Sequence, residues 1–348
     1  MNNPIFKRSD FRLCTVPVPQ KYPQSQTHIG VAFSDGKYFL SASPYPVPKY
    51  GLFEWRIRKI VHLLSLGSLC PAYDGEAYEN PCLYIEDAKG TGIPTQFKLM
   101  QHNALMETPE AFNGLPSYNS DPDIFIEDGI FYIMNRCVIR TKAAQGHRQG
   151  GSITRIYLMK GINENGHFKL LSNHLIRESD DNYVSPSLIK YDGNYIVSYI
   201  DTRLNGREMK FENLYLSIAD NISDAIKGEN KRPLLVNNED VIPWHMSLFQ
   251  YEERLYTIIT CVKKGDVSLK MWQMLGVFNK QLTGVEICST PLTDYNSYRG
   301  SALVQDDGIF VLYTPTVHEK IKGGNSVDGR EVLVANMDFK ELLSRISK

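Results

Sequence analysis

Five stretches of the chain share one pattern that decides its fold. They are HIGVAFSDGKYFLSAS (28–43), SDPDIFIEDGIFYIMN (120–135), VSPSLIKYDGNYIVSY (184–199), WHMSLFQYEERLYTII (244–259) and YRGSALVQDDGIFVLY (298–313). In each stretch an apolar strand leads into a tight turn, and a second strand rich in Tyr or Phe follows. Four of the turns contain Asp-Gly, a pair that readily takes the positive φ angles of a two-residue hairpin turn. The pattern therefore predicts five β-hairpins.

The spacing of these hairpins indicates how they assemble. Their turns, aligned on Gly36, Gly129, Gly193, Glu253 and Gly308, lie 55 to 93 residues apart. A recurring all-β unit of this size is typical of propeller blades, with insertions where the interval is longer. No linker or shift in composition divides the chain, so we predict an all-β, five-bladed β-propeller that occupies residues 1–348 as a single domain. The predicted blade cores lie near residues 25–100, 118–176, 182–236, 241–290 and 297–340.

A propeller blade holds about four strands, so the hairpins are expected to be the inner pairs. Third strands are predicted at 80–87, 153–161, 213–220, 269–278 and 331–338. Residues 11–19 are expected to add an outer strand that helps to close the ring. A polar turn segment is expected at 221–230 and a short amphipathic helix at 338–348.

Two insertions interrupt the repeat. Residues 46–78 separate the second and third strands of the first blade and include a predicted short helix at 54–67. Residues 142–152 form a Gly-rich, basic loop in the second blade. Loops on one face of a propeller often form its binding site, so this second loop could contact a ligand. The alternative is a solvent-exposed loop with no role in binding.

Charge and composition exclude several classes of function. The chain has 38 basic and 39 acidic residues, so no nucleic-acid partner is indicated. The first residues lack the apolar stretch of a secretory signal, and no run is long enough for a membrane span. The six cysteines lack CxxC pairs and zinc-ligand spacing. We therefore expect a cytoplasmic protein with no membrane partner and no zinc.

The first strand of each blade lines the central channel, so the entrance residues of the five strands should converge on the axis. These residues are more polar than the strands behind them, which is typical of a sugar or anion site. They are Thr27-His28, Ser120 to Asp123, Val184 to Pro186, Trp244-His245 and Tyr298 to Ser301.

Asp121 and Asp123 are the candidate catalytic carboxylates of this hub. They are two residues apart, so they point to the same face of a strand. Close carboxylates raise the pKa of one partner or hold a cation together. The structural alternative is that Asp121 caps a turn before Pro122 while Asp123 accepts backbone N–H bonds.

The other hub candidates are assigned by the chemistry of their side chains. His28 is a candidate acid, base, sugar-binding group or ligand, and is placed with the catalytic set. The candidate substrate-binding residues are His245, Arg299, Trp244, Ser185 and Tyr298. Arg299 would clamp an anionic group or neutralise Asp121. Trp244 is either a stacking platform or a wedge between blades.

The ordered motifs ASPYP (42–46), YENP (78–81), NSDPD (119–123), SPS (185–187), WH (244–245) and YRGS (298–301) carry a resemblance that spans nearly the whole chain. The sequence resembles bacterial and phage-encoded proteins related to the five-bladed glycoside hydrolases of families 43 and 32. The resemblance implies three hub carboxylates: an Asp base in the first blade, a pKa-tuning Asp in the second and a Glu acid in the third.

Only one of these three carboxylates matches. The tuning residue falls on Asp121, the base position is occupied by His28, and the acid position is occupied by Val184. Nearby carboxylates could substitute, although each has the alternative role of a surface or turn residue. They are Glu79, Glu178, Asp180, Asp181 and Asp201.

These observations leave three hypotheses. The leading one is a glycoside hydrolase-like enzyme with a non-standard acid/base set that acts on a carbohydrate. The second is a glycan-binding propeller without catalysis, which Val184 favours, and the third is a protein-interaction scaffold, which the polar hub argues against. No cofactor is expected, although hard cations such as calcium are compatible with the paired carboxylates of the hub.

Overall fold

The structure is a computed structural model, and the statements below concern the residues that it describes. These are residues 3–17, 26–44, 57, 60–61, 64–65, 79–87, 92–101, 105–107, 109–110, 117–141, 152–181, 183–205, 208–266, 270–293, 297–306, 308–315 and 332–346. Residues 142–151 and most of 46–78 lie outside them, so nearly all of the Gly-rich loop at 142–152 and most of the predicted helix at 54–67 fall outside the described residues.

Within these residues the strands form five sheets, one for each predicted hairpin. The first strand, β1 (Arg12–Cys14), belongs to the last blade. Blade 1 contains β2 (Gln26–Ser34), β3 (Lys37–Pro44), β4 (Cys82–Glu86) and β5 (Phe97–Leu99). Blade 2 contains β6 (Tyr118–Glu127), β7 (Ile130–Arg140), β8 (Ser152–Glu164) and β9 (His167–Ser179). Blade 3 contains β10 (Tyr183–Tyr191), β11 (Asn194–Asn205), β12 (Glu208–Ala219) and β13 (Arg232–Pro233).

In the last two blades the outermost strand comes from earlier in the chain than the inner strand. Blade 4 contains β14 (Leu235–Asn237), β15 (Val241–Tyr251), β16 (Arg254–Lys263), β17 (Met271–Phe278) and β18 (Gly284–Pro291). Blade 5 contains β19 (Ser297–Gln305), β20 (Gly308–Pro315), β21 (Val332–Asp338) and β1. The five inner strands β2, β6, β10, β15 and β19 each contact the next, and β19 returns to β2. The predicted five-bladed β-propeller is therefore confirmed.

Apolar packing between neighbouring blades holds the ring together. Five clusters of buried residues each join two consecutive blades, including one between blade 5 and blade 1. Each blade presents one apolar face to the preceding blade and one to the next, because side chains alternate along a strand. Closing the ring therefore buries apolar side chains between every two consecutive blades.

The predicted strand that closes the ring is present. β1 pairs antiparallel with β21, so a strand near the start of the chain completes the last blade. Residues on either side of β1 connect it to two other blades through backbone hydrogen bonds. The Phe6 N–H donates to the carbonyl of Leu292 in blade 4, and the Phe97 N–H of blade 1 donates to the carbonyl of Thr15. The segment from residue 5 to residue 15 thus ties three blades together.

Two local predictions need correction. Gln305 pairs with Gly308, so the fifth hairpin turn precedes Gly308 and Asp306 takes a positive φ of 49°. The expected polar turn at 221–230 contains a helix, α1 (Ile222–Lys227), because Asn221 caps its first turn and Gly228 ends it in the left-handed conformation.

The predicted C-terminal helix is present as α2 (Phe339–Ile346), with Phe339 and Leu342 buried. None of the helices in the described part of the chain is long and apolar enough to cross a membrane. Burial raises the pKa of the Cys14 thiol to about 12, so this cysteine behaves as a packed apolar group.

Candidate functional site

Five residues at the hub occupy equivalent positions in the five blades. His28, Asp121, Ser185, His245 and Arg299 each lie six residues before the end of their inner strand. All five are buried. We call this set the upper ring. It brings together five of the residues that the sequence predicted as the site.

A β-bulge at this level aims the ring residues toward the axis. The pairing register slips by one residue in every inner strand. In blades 1 to 3 the slip is accompanied by left-handed backbone at His28, Asp121 and Ser185, with φ angles of 53°, 50° and 51°. Residues other than glycine rarely adopt this conformation, and bulges commonly redirect side chains beside functional sites.

The bulge falls one residue earlier in blades 4 and 5. There the unpaired residues are Trp244 and Tyr298, and both are partly exposed. The equivalent residues of blades 1 to 3 are Thr27, Ser120 and Val184, which are buried. The entrance side of the upper ring is therefore covered by two aromatic side chains from adjacent blades.

Asp121 is the electrostatic centre of the upper ring. Its Oδ1 atom lies 3.1 Å from Nη1 of Arg299, and its Oδ2 atom accepts a hydrogen bond from Nη1 of Arg136. The backbone N–H of Ser185 also donates to Oδ2, at 3.2 Å. Burial alone would raise the pKa of Asp121, but His28, Arg136 and Arg299 hold it well below its usual range. Asp121 is therefore a fixed anion.

His28 links Asp121 to a second carboxylate. Its Nδ1 atom lies 3.0 Å from Oδ1 of Asp121 and 3.6 Å from Oε2 of Glu79. The Ser120 hydroxyl and the Asp121 backbone N–H also approach Nδ1, at 2.9 and 3.0 Å. The Nε2 atom lies 3.2 Å from the hydroxyl oxygen of Tyr298. One imidazole thus connects two buried carboxylates to the partly exposed Tyr298.

His245 packs against this group through its ring. Its centroid lies 5.3 Å from that of His28 and 4.8 Å from that of Tyr298. Within the described residues neither of its ring nitrogens has a hydrogen-bond partner. Burial lowers the pKa of His245 well below its usual range, and the nearby Asp121 only partly opposes this effect. The imidazole is therefore neutral, with polar atoms available to a ligand or a water molecule.

Asp123 belongs to a second layer. It lies two residues further along β6, at the level of Gly30, and its Oδ2 atom accepts the backbone N–H of Leu188 at 2.8 Å. Burial raises its pKa, although Arg299 and that backbone hydrogen bond oppose the shift. This contact matches the structural alternative for Asp123, and its catalytic role stays a prediction.

The structure adds Glu79 and Arg136 to the site. Glu79 was expected to be a surface or turn residue if it was not a substitute carboxylate, but it is only 3% exposed and lies beside His28. Arg136 was not singled out, although an arginine within the apolar strand FYIMNRCVIR (131–140) was a usable signal, because buried arginines require an anionic partner.

The other proposed substitute carboxylates are not in the upper ring. Glu178 forms an ion pair with Arg155 on the surface, and Asp181 forms one with Arg177. Asp180 is exposed. Asp201 is opposite Tyr183 at the entrance end of blade 3 and is partly exposed, so it stays near the site.

The described residues offer no metal-binding cluster of three or more His, Cys, Asp or Glu side chains. The carboxylate of Asp121, which the calcium hypothesis would use, is bonded to two guanidinium groups. The negative charge of Asp121 is therefore neutralised by arginine side chains of the protein.

Comparison with known proteins supports the fold. No family model matches the chain, and no curated protein sequence matches it significantly. A family 117 glycoside hydrolase from the marine bacterium Zobellia galactanivorans shares 13% identity at a TM-score of 0.57, over 94% of this chain and 90% of that one. The β-xylosidase RS223 shares 11% at 0.53, over 94% and 95%.

A third similar structure is the GH43_1 enzyme from Xanthomonas citri in complex with xylotriose. It shares 10% identity at a TM-score of 0.52, over 90% of this chain and 87% of that one. Identities this low establish architecture and not activity. The chain has the five-bladed β-propeller fold found in glycoside hydrolases of families 43 and 117.

Proposed function

We propose that the protein acts on a carbohydrate at the entrance end of its hub, as a glycoside hydrolase-like enzyme. The observation that carries the proposal is a pair of partly exposed aromatic side chains beside a buried ring of charged and polar groups: Tyr298 stacks on His28, and Trp244 packs edge-on against His245. Sugars are bound by such a combination, because their C–H faces pack on aromatic rings while their hydroxyls bond to fixed polar atoms.

The carboxylate geometry is compatible with hydrolysis. Both carboxylate distances are measured from Nδ1 of His28, so the nearest oxygens of Asp121 and Glu79 lie within about 7 Å of each other. Carboxylate pairs of glycoside hydrolases are separated by about 5 to 10 Å. In this proposal the anionic Asp121 orients His28, and His28 together with Glu79 holds and transfers protons.

One observation favours a binding protein without catalysis. Val184, at the position where the resemblance implies an acid, is apolar and 5% exposed. The two functions make different predictions for the same sugar, because a binding protein retains it intact whereas a hydrolase releases a new reducing end.

The test is a screen of wild-type protein against a broad glycan array, followed by calorimetry and a reducing-sugar assay on each ligand found. We expect Trp244→Ala to weaken binding at least tenfold. The matched control is Tyr191→Ala, an aromatic deletion at the opposite end of β10, which should leave affinity unchanged. Release of reducing ends supports the hydrolase, and binding alone supports the second function. Absence of any bound glycan would contradict both.

A further inference from the structure

Tyr298 is the point at which the buried charges of the hub reach the surface. Among the titratable side chains at the entrance ends of the five inner strands, those that the structure describes are buried except for Tyr298. Its ring stacks on His28, with centroids 5.3 Å apart and planes 18° from parallel. A proton that moves between the upper ring and a bound sugar therefore has a direct route through the Tyr298 hydroxyl.

The hydrogen bond between His28 and Tyr298 has a defined direction. The Nδ1 atom of His28 lies 3.0 Å from Oδ1 of Asp121 and 3.6 Å from Oε2 of Glu79, and two carboxylates beside one ring nitrogen favour the protonated imidazole. In that form both ring nitrogens carry a proton. Nε2–H then donates to the phenol oxygen of Tyr298, 3.2 Å away.

A donor aimed at the phenol oxygen stabilises the phenolate that is left when the hydroxyl proton departs. This is the arrangement that a proton-donating tyrosine requires. Tyr298 also occupies in blade 5 the position that Val184 occupies in blade 3, seven residues before the end of the inner strand. An acidic group is therefore present at this level of the hub, contributed by a different blade.

We infer that Tyr298 is the general acid of the proposed site, assisted by His28. The inference rests on the proposed function and applies to an O-glycoside substrate. The Tyr298 proton passes to the glycosidic oxygen, and the bond from the anomeric carbon to that oxygen breaks with its electron pair going to the oxygen. Water then adds a hydroxyl group to the anomeric carbon, and the proton that this water loses restores the Tyr298 hydroxyl.

The test compares two glycosides of a sugar that the wild-type protein cleaves: a 2,4-dinitrophenyl glycoside, whose leaving group departs without protonation, and a methyl glycoside, which requires it. General acids contribute about 10²- to 10⁴-fold to rate. We expect Tyr298→Phe to lower kcat/KM at least 100-fold for the methyl glycoside and less than about threefold for the dinitrophenyl glycoside. The control Tyr191→Phe, at the far end of β10, should change neither rate.

The outcomes separate the inference from the proposed function. Equal losses on both substrates would make Tyr298 a binding residue and overturn the inference while the hydrolase stands. A loss confined to the methyl glycoside in Asp201→Asn, with Tyr298→Phe unaffected, would assign the acid to Asp201 instead. If wild-type protein cleaves no glycoside, the proposed function fails and the inference fails with it. A fluorinated tyrosine at position 298 supplies an independent readout, because a more acidic phenol should move the alkaline limb of the pH profile to lower pH.

Discussion

At the scale of single residues, Asp121 determines the electrostatics of the hub. Its carboxylate bonds to two buried guanidinium groups, Arg136 and Arg299, and lies against His28. Removing a charged group from water costs free energy unless an opposite charge is close, so the single Asp121 carboxylate offsets the desolvation cost of several buried cations. A change at this side chain therefore affects stability as well as function.

We predict that Asp121→Asn lowers the free energy of unfolding by about 3 to 5 kcal/mol, because it removes the carboxylate to which two buried guanidinium groups are bonded. Urea denaturation followed by far-UV circular dichroism measures the change. The matched control is Glu178→Gln, which removes the carboxylate of an exposed ion pair with Arg155 and should cost less than about 1 kcal/mol. Equal effects of the two substitutions would show that Asp121 does not hold the ring together.

At the scale of elements, the short segment from residue 5 to residue 15 connects three of the five blades. It adds β1 to the last blade and also bonds to blades 4 and 1. Phe6, which is 1% exposed, lies in the cluster between blades 4 and 5. Because the segment bridges the point where the two ends of the repeat meet, its packing closes the ring.

We predict that Phe6→Ala lowers the free energy of unfolding by about 3 to 5 kcal/mol, since it deletes a large buried side chain and leaves a cavity. Leu13→Ala is the control in the same segment, because the Leu13 side chain is 54% exposed and should cost less than about 0.5 kcal/mol. Thermal unfolding of both variants checks this. A small effect of Phe6→Ala would mean that the segment is not needed for closure.

At the scale of the whole molecule, the upper ring couples stability to pH. The pKa values of His245 and Asp121 are both lower in the folded protein than their ordinary values of 6.5 and 3.8. The unfolded chain therefore binds more protons, and stability falls as pH decreases. The contribution of His245 is complete above its ordinary pKa and declines below it, whereas that of Asp121 is lost only in strong acid.

We predict that wild-type protein loses stability between pH 7.5 and pH 5, by up to about 1.4 kcal/mol per pH unit from His245. His245→Gln should flatten this slope, because the titrating group is gone. His174→Gln, which changes an exposed histidine on β9, is the control and should leave the slope unaltered. Urea denaturation across this pH range provides the measurement, and identical slopes for wild type and His245→Gln would contradict the prediction.

Much of the hub was predictable because its parts are local. Once the inner strand of a hairpin is recognised, its entrance residues are expected at the channel, so His28, Asp121 and Arg299 were named as hub candidates without the structure. Glu79 was named only as one of five possible substitute carboxylates, because it lies outside every hairpin repeat, three residues before β4, and only the folded chain shows that it is buried beside His28.

By itself, the sequence determined the hairpins, the number of blades and the polar entrance positions, because turn chemistry and alternating apolar residues act over a few neighbouring residues. Tertiary structure decided which groups meet. The bond between His28 and Tyr298 joins residues 270 positions apart, and it exists because the ring closes blade 5 onto blade 1. Long-range contacts of this kind depend on the closure of the whole ring and leave no signal in the local pattern.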